Sequence, residues 1–123
     1  MSDLTYIEPT GEGLKSFGAI DLEGPIHMLN LLRFKPDGGR ESYQKYSDNT
    51  MPLLKQRGAK LVYRGDAKMT VIGSESWDTI VIVEYPSREA FFDMVGSEEY
   101  QKGVHWRTEA LEDSRLVCMQ PPQ

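Results

Sequence analysis

Hydrophobic and polar positions alternate along most of this chain, and the alternation stops between residues 77 and 85. There Trp-Asp-Thr-Ile-Val-Ile-Val-Glu-Tyr holds an unbroken β-branched run from Ile80 to Val83. Such a strand is too apolar to leave one face in water and needs cover on both. By the period of two, Asp78 and Glu84 share one face, and Trp77, Thr79 and Tyr85 share the other.

The rest of the chain arranges itself about this strand. Gly24-Pro25 punctuates, and Ile26–Phe34 reads as a first strand, with Met28, Asn30 and Leu32 on one face and Leu29, Leu31 and Arg33 on the other. The turn cluster Pro36-Asp37-Gly38-Gly39 precedes a helical pattern from about Glu41 to Arg57, with Tyr43, Tyr46, Thr50, Leu53 and Leu54 on one side. Pro52 either kinks this helix or opens its second segment, and Gly58 suits its left-handed end. Ala59–Gly65 is the second strand, with Leu61 and Tyr63 opposed to Val62, and a loop or strand extension follows through Val71-Ile72-Gly73.

After the central strand, Ser87 caps a helix whose buried stripe is Ala90, Phe91, Met94 and Val95. Gly96 stops it, and Ser97 restarts a segment with Tyr100, Val104, Arg107 and Leu111 at helical spacing. Asp113–Met119 is the last strand. In the first 24 residues Thr10 is placed to cap a short helix carrying Leu14 and Phe17, weakened by Gly11, Gly13 and Gly18. This stretch reads as an extension that wraps the domain or lies across it as a lid. The organisation expected is an N-terminal extension over 1–24, one α+β domain over 25–120 and a tail over 121–123.

The order βαββαβ predicts a ferredoxin-like fold: a four-stranded antiparallel sheet with both helices on one face. The other face is then bare, yet the strands are apolar on both sides. A second copy of the same sheet, related by a two-fold axis, is the simplest cover, so a homodimer through the open sheet face is expected.

Composition narrows the partners. The formal net charge of −5 argues against nucleic acid and anionic membranes. The single cysteine, Cys118, excludes an intrachain disulfide and a thiolate metal cluster. His27 and His105 lie far apart without second ligands at metal spacing, so no metal is expected. Met1–Pro9 lacks a basic n-region and an apolar h-region, and no apolar run has the length of a membrane span, which points to the cytoplasm.

Several residues are candidates for chemistry. Asn30 is a carboxamide in the middle of an apolar strand and must find partners, either a ligand in a cleft or a neighbouring group or water. Glu84, ending the apolar run, is either a partly buried carboxylate suited to proton abstraction or the partner of Arg64, Arg107 or Arg33. His105 is an acid–base group by type. Arg107 would hold an anion or complete that ion pair. Tyr46, Tyr63 and Trp77 offer aromatic walls for a small substrate, or serve as core residues.

Leu29-Asn30-Leu31, Gly58-Ala59 leading into Tyr63-Arg64-Gly65, Val83-Glu84-Tyr85-Pro86-Ser87 and Ser97-Glu98-Glu99-Tyr100-Gln101 together resemble domain-of-unknown-function family 1330, within the dimeric α+β barrel superfamily. The resemblance spans roughly residues 26 to 119 and implies the fold and the dimer. Its wider superfamily implies a small-molecule site, with cofactor-free oxygenation or isomerisation of an aromatic or keto-enol compound as one reading. Asn30 would then orient, Glu84 or His105 would move a proton, and Arg107 would hold an anion. A non-catalytic binding or accessory dimer is the alternative. A haem-degrading branch of the superfamily makes haem a third reading: Asn30 matches one element of its site, but Met94 stands at its Trp position and Val104 at its His position, with His105 one residue beyond. No cofactor is assigned.

Overall fold

The computed structural model describes residues 5–122. Its elements are α1 (Gly11–Ala19), β1 (Ile26–Phe34), α2 (Gly39–Gln56), β2 (Lys60–Asp66), β3 (Thr79–Tyr85), α3 (Arg88–Val95), α4 (Glu98–Ala110) and β4 (Leu111–Met119). The strands form one sheet in the order β2-β3-β1-β4, and every pairing is antiparallel. This is the expected ferredoxin-like plan, preceded by an extra helix.

Local chemistry sets the helix ends. The side chains of Thr10, Ser87 and Ser97 accept from the backbone N–H groups of Gly13, Ala90 and Tyr100, so α1, α3 and α4 each begin on a capping hydroxyl. The N-cap of α2 is Gly38, at φ 82°, which a side chain would strain. Gly39 then starts α2 two residues before the sequence pattern does, because it alone fits there: an added Cβ would lie 2.7 Å from the Ala110 carbonyl oxygen and 3.0 Å from the Phe34 Cβ. α2 runs unbroken through Pro52, so the proline does not open a second segment. Val71-Ile72-Gly73 belongs to the loop between β2 and β3 and extends neither strand, with Val71 and Ile72 83% and 93% exposed. Leu111 opens β4 instead of closing the α4 stripe.

The core lies between the sheet and its helices. Ile26, Met28, Leu32 and Phe34 of β1 and Val81, Val83 and Tyr85 of β3 meet Tyr43, Leu53 and Leu54 of α2 and Phe91, Met94 and Tyr100 of α3 and α4. On the other face of the same two strands lie His27, Leu29, Leu31, Arg33, Ile80, Ile82 and Glu84, all half-buried with no helix over them. The central strand is thus alternately buried and half-buried, which accounts for its unbroken apolar run.

β2 departs from simple alternation. Its pairing with β3 slips between Leu61 and Tyr63, so that Leu61 stands opposite Val83, Tyr63 opposite Ile82 and Arg64 opposite Val81. A bulge of this kind inserts one unpaired residue and exchanges the faces beyond it. Leu61 and Tyr63 therefore do not share a face, as the sequence pattern has them. Tyr63 goes to the open face, where its ring lies over Gly65, and Arg64 turns to the helix side.

The segment before β1 is tied down at both ends. The Tyr6 amide donates to Asp113 Oδ1 and its carbonyl accepts from the Ser114 hydroxyl. At the other end Arg88 donates to the Phe17 and Ile20 carbonyls, and the Phe17 ring packs 5.3 Å from that of Phe92. α1 itself buries no residue.

Candidate functional site

A cavity of about 1130 Å³ opens between the helix side of the sheet, α2, α4 and the N-terminal segment. That is ample for a small organic molecule, since ligand pockets commonly span roughly 300–1,000 Å³. Met28, Asn30, Val81, Val83 and Tyr85 supply its floor, Tyr43, Tyr46 and Tyr100 one wall, and Ile7, Leu14 and Phe17 the roof. A smaller hollow of about 340 Å³ beside the β1–α2 turn is lined by two acids, Glu41 and Asp78, of which Asp78 is engaged, its Oδ2 accepting from the Phe34 amide.

Asn30 is the polar group of the cavity floor. Its amide nitrogen makes two long contacts, 3.3 Å to the Met28 carbonyl and 3.4 Å to the Val81 carbonyl. No donor among the described residues reaches its side-chain oxygen, which faces the cavity as a free acceptor. Thr50, lining the same space, has a buried hydroxyl with no partner.

The tyrosines form a connected stack. Tyr43 packs 5.4 Å from Phe34 and 5.3 Å from Tyr46, and the Tyr46 and Tyr100 hydroxyls meet at 3.0 Å. Burial, with smaller contributions from neighbouring phenols, pushes the hydroxyls of Tyr43, Tyr85 and Tyr100 well above the ordinary tyrosine range. They are neutral at all physiological pH and can act as hydrogen-bond donors. The Arg107 guanidinium lines the cavity from α4 and donates to the Ile7 carbonyl, joining the wall to the roof. Cys118 also lines it, its thiol pushed up by burial.

Of the residues the sequence singles out, Asn30, Tyr46 and Arg107 come together here, and four do not. Glu84 projects from the opposite sheet face, opposite His27 in the β1–β3 register, and its Oε1 lies 2.9 Å from His27 Nε2. Lys60 Nζ is 3.6 Å from its other oxygen, so its partners are not the arginines considered from the sequence. The hydrogen bond with His27 is the main cause that holds the Glu84 carboxyl below its usual range; burial opposes it, and Lys60 adds to it. This is the reverse of the raised value a buried base would need.

His105 is exposed on the outer side of α4, its ring 4.6 Å from that of Trp106. Trp77 sits beyond the end of β3 between the guanidiniums of Arg33 and Arg115, 5.9 and 5.1 Å from its ring centre. Tyr63 is 55% exposed on the open face. Arg64, which the sequence offers only as a partner for Glu84, lines the cavity instead. The β2 bulge put it there, and nothing in the period of two announces a bulge.

Among the described residues no three His, Cys, Asp or Glu side chains converge as a metal would require, and no helix is long and apolar enough to cross a membrane. The cavity lining contains no histidine, so haem has no axial imidazole there.

Comparison with known proteins agrees with this architecture. No curated protein matches the chain. Among solved structures, the RPA0582 protein of Rhodopseudomonas palustris, of unknown function, is similar over 98% of this chain and 99% of its own, with 40% identity and a TM-score of 0.91. The likeness therefore includes the N-terminal segment. A dabb family protein with a ferredoxin-like fold from Mesorhizobium loti shares the fold at 12% identity and a TM-score of 0.61, over 82% of this chain and all of its own. So does a dimeric ferredoxin-like protein of unknown function from Bacteroides fragilis, at 11% identity and a TM-score of 0.57, over 81% of this chain and 99% of its own. Residues 38–120, from the start of α2 to the end of the sheet, match the domain of unknown function DUF1330, and the chain belongs to that family.

Proposed function

We propose that this protein is a homodimer that binds a small, largely apolar organic molecule in each protomer, in the cavity between sheet, helices and N-terminal segment. The observation that carries this reading is the Asn30 oxygen, an acceptor without a protein donor on the floor of a cavity of about 1130 Å³. A ligand donor would meet this oxygen, which no protein donor reaches. The Tyr46 and Tyr100 hydroxyls are bonded to each other, which leaves one O–H of the pair as a donor to complement it, so a carbonyl or enol flanked by aromatic surface fits both kinds of group.

Binding is favoured over proton-transfer catalysis by what the cavity contains. Its carboxylates are Glu8 and Asp48, one accepting from the Thr108 hydroxyl and the other from the Gln44 amide. Glu84 and His105, the proton movers proposed for cofactor-free oxygenation or isomerisation, are not among its lining residues. The dimer part of the reading rests on the open face, where Leu29, Leu31, Ile80 and Ile82 make an apolar surface that one protomer leaves uncovered.

A thermal-shift screen with small aromatic and keto-enol compounds tests the ligand, because a molecule that binds only the native state raises apparent stability. Cys118→Phe, which partly fills the cavity, should reduce the shift, and Asn30→Leu should weaken it. If no compound shifts the melting temperature, or if the filled variant responds equally, the ligand reading fails. Sedimentation of the wild type should give a dimer and Ile82→Arg a monomer; a monomeric wild type refutes the dimer.

A further inference from the structure

Arg64 is the charged group of the cavity that its own fold leaves unused. It stands on the edge strand β2, and among the described residues no ion pair or hydrogen bond engages its guanidinium. The other arginines nearby are engaged: Arg115 holds Asp113 and Glu75, and Arg107 holds the Ile7 carbonyl. The carbonyl is a neutral acceptor, so the Arg107 charge is also uncompensated. Both arginines line the cavity with Tyr43, and their charges oppose the upward push of burial on its phenol. The carboxylates that line the same cavity, Glu8 and Asp48, accept from the Thr108 hydroxyl and the Gln44 amide and pair with neither arginine.

The bulge makes the placement specific. Without the slip between Leu61 and Tyr63, strict alternation from Leu61 would bring Tyr63 to the cavity side and send Arg64 to the open face. One extra residue reverses this and delivers a guanidinium to the mouth in place of a phenol. Bulges recur beside binding sites because they re-aim a side chain in this way. Arginine at such a mouth suits a planar anion, which it meets with two parallel hydrogen bonds.

We propose that the ligand of this cavity is an organic carboxylic acid, its apolar body held over Met28, Val83 and Phe91 and its carboxylate paired with the guanidinium of Arg64. The proposal rests on the reading of the cavity as a ligand site and specifies the ligand's chemical class. Arg64 is then the specificity determinant: it separates acids from neutral molecules of the same shape.

Titration calorimetry near neutral pH with 2-naphthoate and with 2-naphthamide, its neutral counterpart, tests this. The acid should bind the wild type at least about tenfold more tightly than the amide. Arg64→Gln should erase that advantage while leaving the amide's affinity unchanged, and Arg64→Lys should restore part of it. Unfolding curves confirm that these exposed-strand variants fold. Equal binding of acid and amide by the wild type, or an equal loss of both in Arg64→Gln, overturns the carboxylate proposal and leaves the ligand site standing. Failure of both probes to bind at about millimolar concentration overturns the ligand site, and the carboxylate with it.

Discussion

Asp113 holds the N-terminal segment against the sheet, and replacing it should loosen the cavity roof. Its side chain is 6% exposed. Its Oδ1 accepts from the Tyr6 amide at 2.8 Å, the Ser114 amide at 2.9 Å and Arg115 Nη1 at 2.7 Å, and Arg33 Nη2 lies 3.6 Å from Oδ2. Each hydrogen bond to a charged group is worth about 1.5–3 kcal/mol net, but Arg115 is 28% exposed and would recover part of this from water. Arg33, 31% exposed, would also recover part of its share. Removing the acid from two such cations should therefore cost about 3–5 kcal/mol for Asp113→Ala, a large share of a domain stability of roughly 5–15 kcal/mol. Asp113→Asn keeps an acceptor for the two amides and should cost about 1–2 kcal/mol. Urea unfolding gives these values, and limited proteolysis should cut the alanine variant first within its opening twenty or so residues. pH adds a second check. Burial raises the Asp113 carboxyl, but the Tyr6 amide, Arg115 and the Ser114 amide together outweigh it and hold the group below its ordinary value. The carboxylate's contribution is then complete above the unfolded value of about 3.9 and is lost as pH falls through the lower folded one. Asp113→Asn should not lose it. A cost below about 1 kcal/mol for Asp113→Ala would refute the reasoning and leave the segment anchored by Ser114, Arg107, Thr108 and Arg88.

Three further outcomes are expected. Gly39→Ala should destabilise by about 2–3 kcal/mol in urea, because the new Cβ meets the rigid Ala110 carbonyl at 2.7 Å, whereas Gly103→Ala meets only the movable Asn49 side chain and should cost less than half as much. Tyr100→Phe removes the hydroxyl bonded to Tyr46 and should cost about 1 kcal/mol, with no change in the stability difference from pH 6 to about 10, since the phenol is neutral throughout. Glu84→Gln should flatten the acid limb of the melting temperature against pH: the carboxyl's folded value lies below its unfolded one, so its contribution is present above the ordinary glutamate range and disappears as pH falls through the folded value. An unchanged acid limb would exclude Glu84 as a source of stability.

What could be read from the sequence was what depends on near neighbours in the chain. Thr10, Ser87 and Ser97 cap helices because a hydroxyl reaches an amide three residues on, and that spacing is visible in any sequence. Alternation placed Asn30 with Met28 and Leu32, and the three do share the helix side. It also placed Asp78 and Glu84 on one face. Which face the helices would cover is a property of chain crossings between distant elements, and alternation is silent on it. Glu84 fell outside the cavity for that reason, Tyr63 because of the slip in β2, and Trp77 because it precedes the start of β3. Arg64 entered it through a single unpaired residue in β2, where the local pattern of Leu61, Val62 and Tyr63 reads as an ordinary alternating strand.

The two faces of the sheet can be separated experimentally because the charged groups assigned to the two tasks are different residues. Arg64 and Arg107 line the cavity, while His27, Lys60 and Glu84 form a ladder across β1, β3 and β2 on the open side. His27 and Glu84 are direct cross-strand partners in register and share a hydrogen bond, a pairing that stabilises a sheet. If a second protomer covers that face, the pair loses water on both sides and its geometry should become more important to assembly than to folding. Glu84→Gln would then shift the monomer–dimer equilibrium without changing ligand affinity, and Arg64→Gln would do the opposite. A sheet apolar on both faces is demanding to build, and two independent tasks, one on each face, account for both the aliphatic centre of β3 and the ion pair at its end.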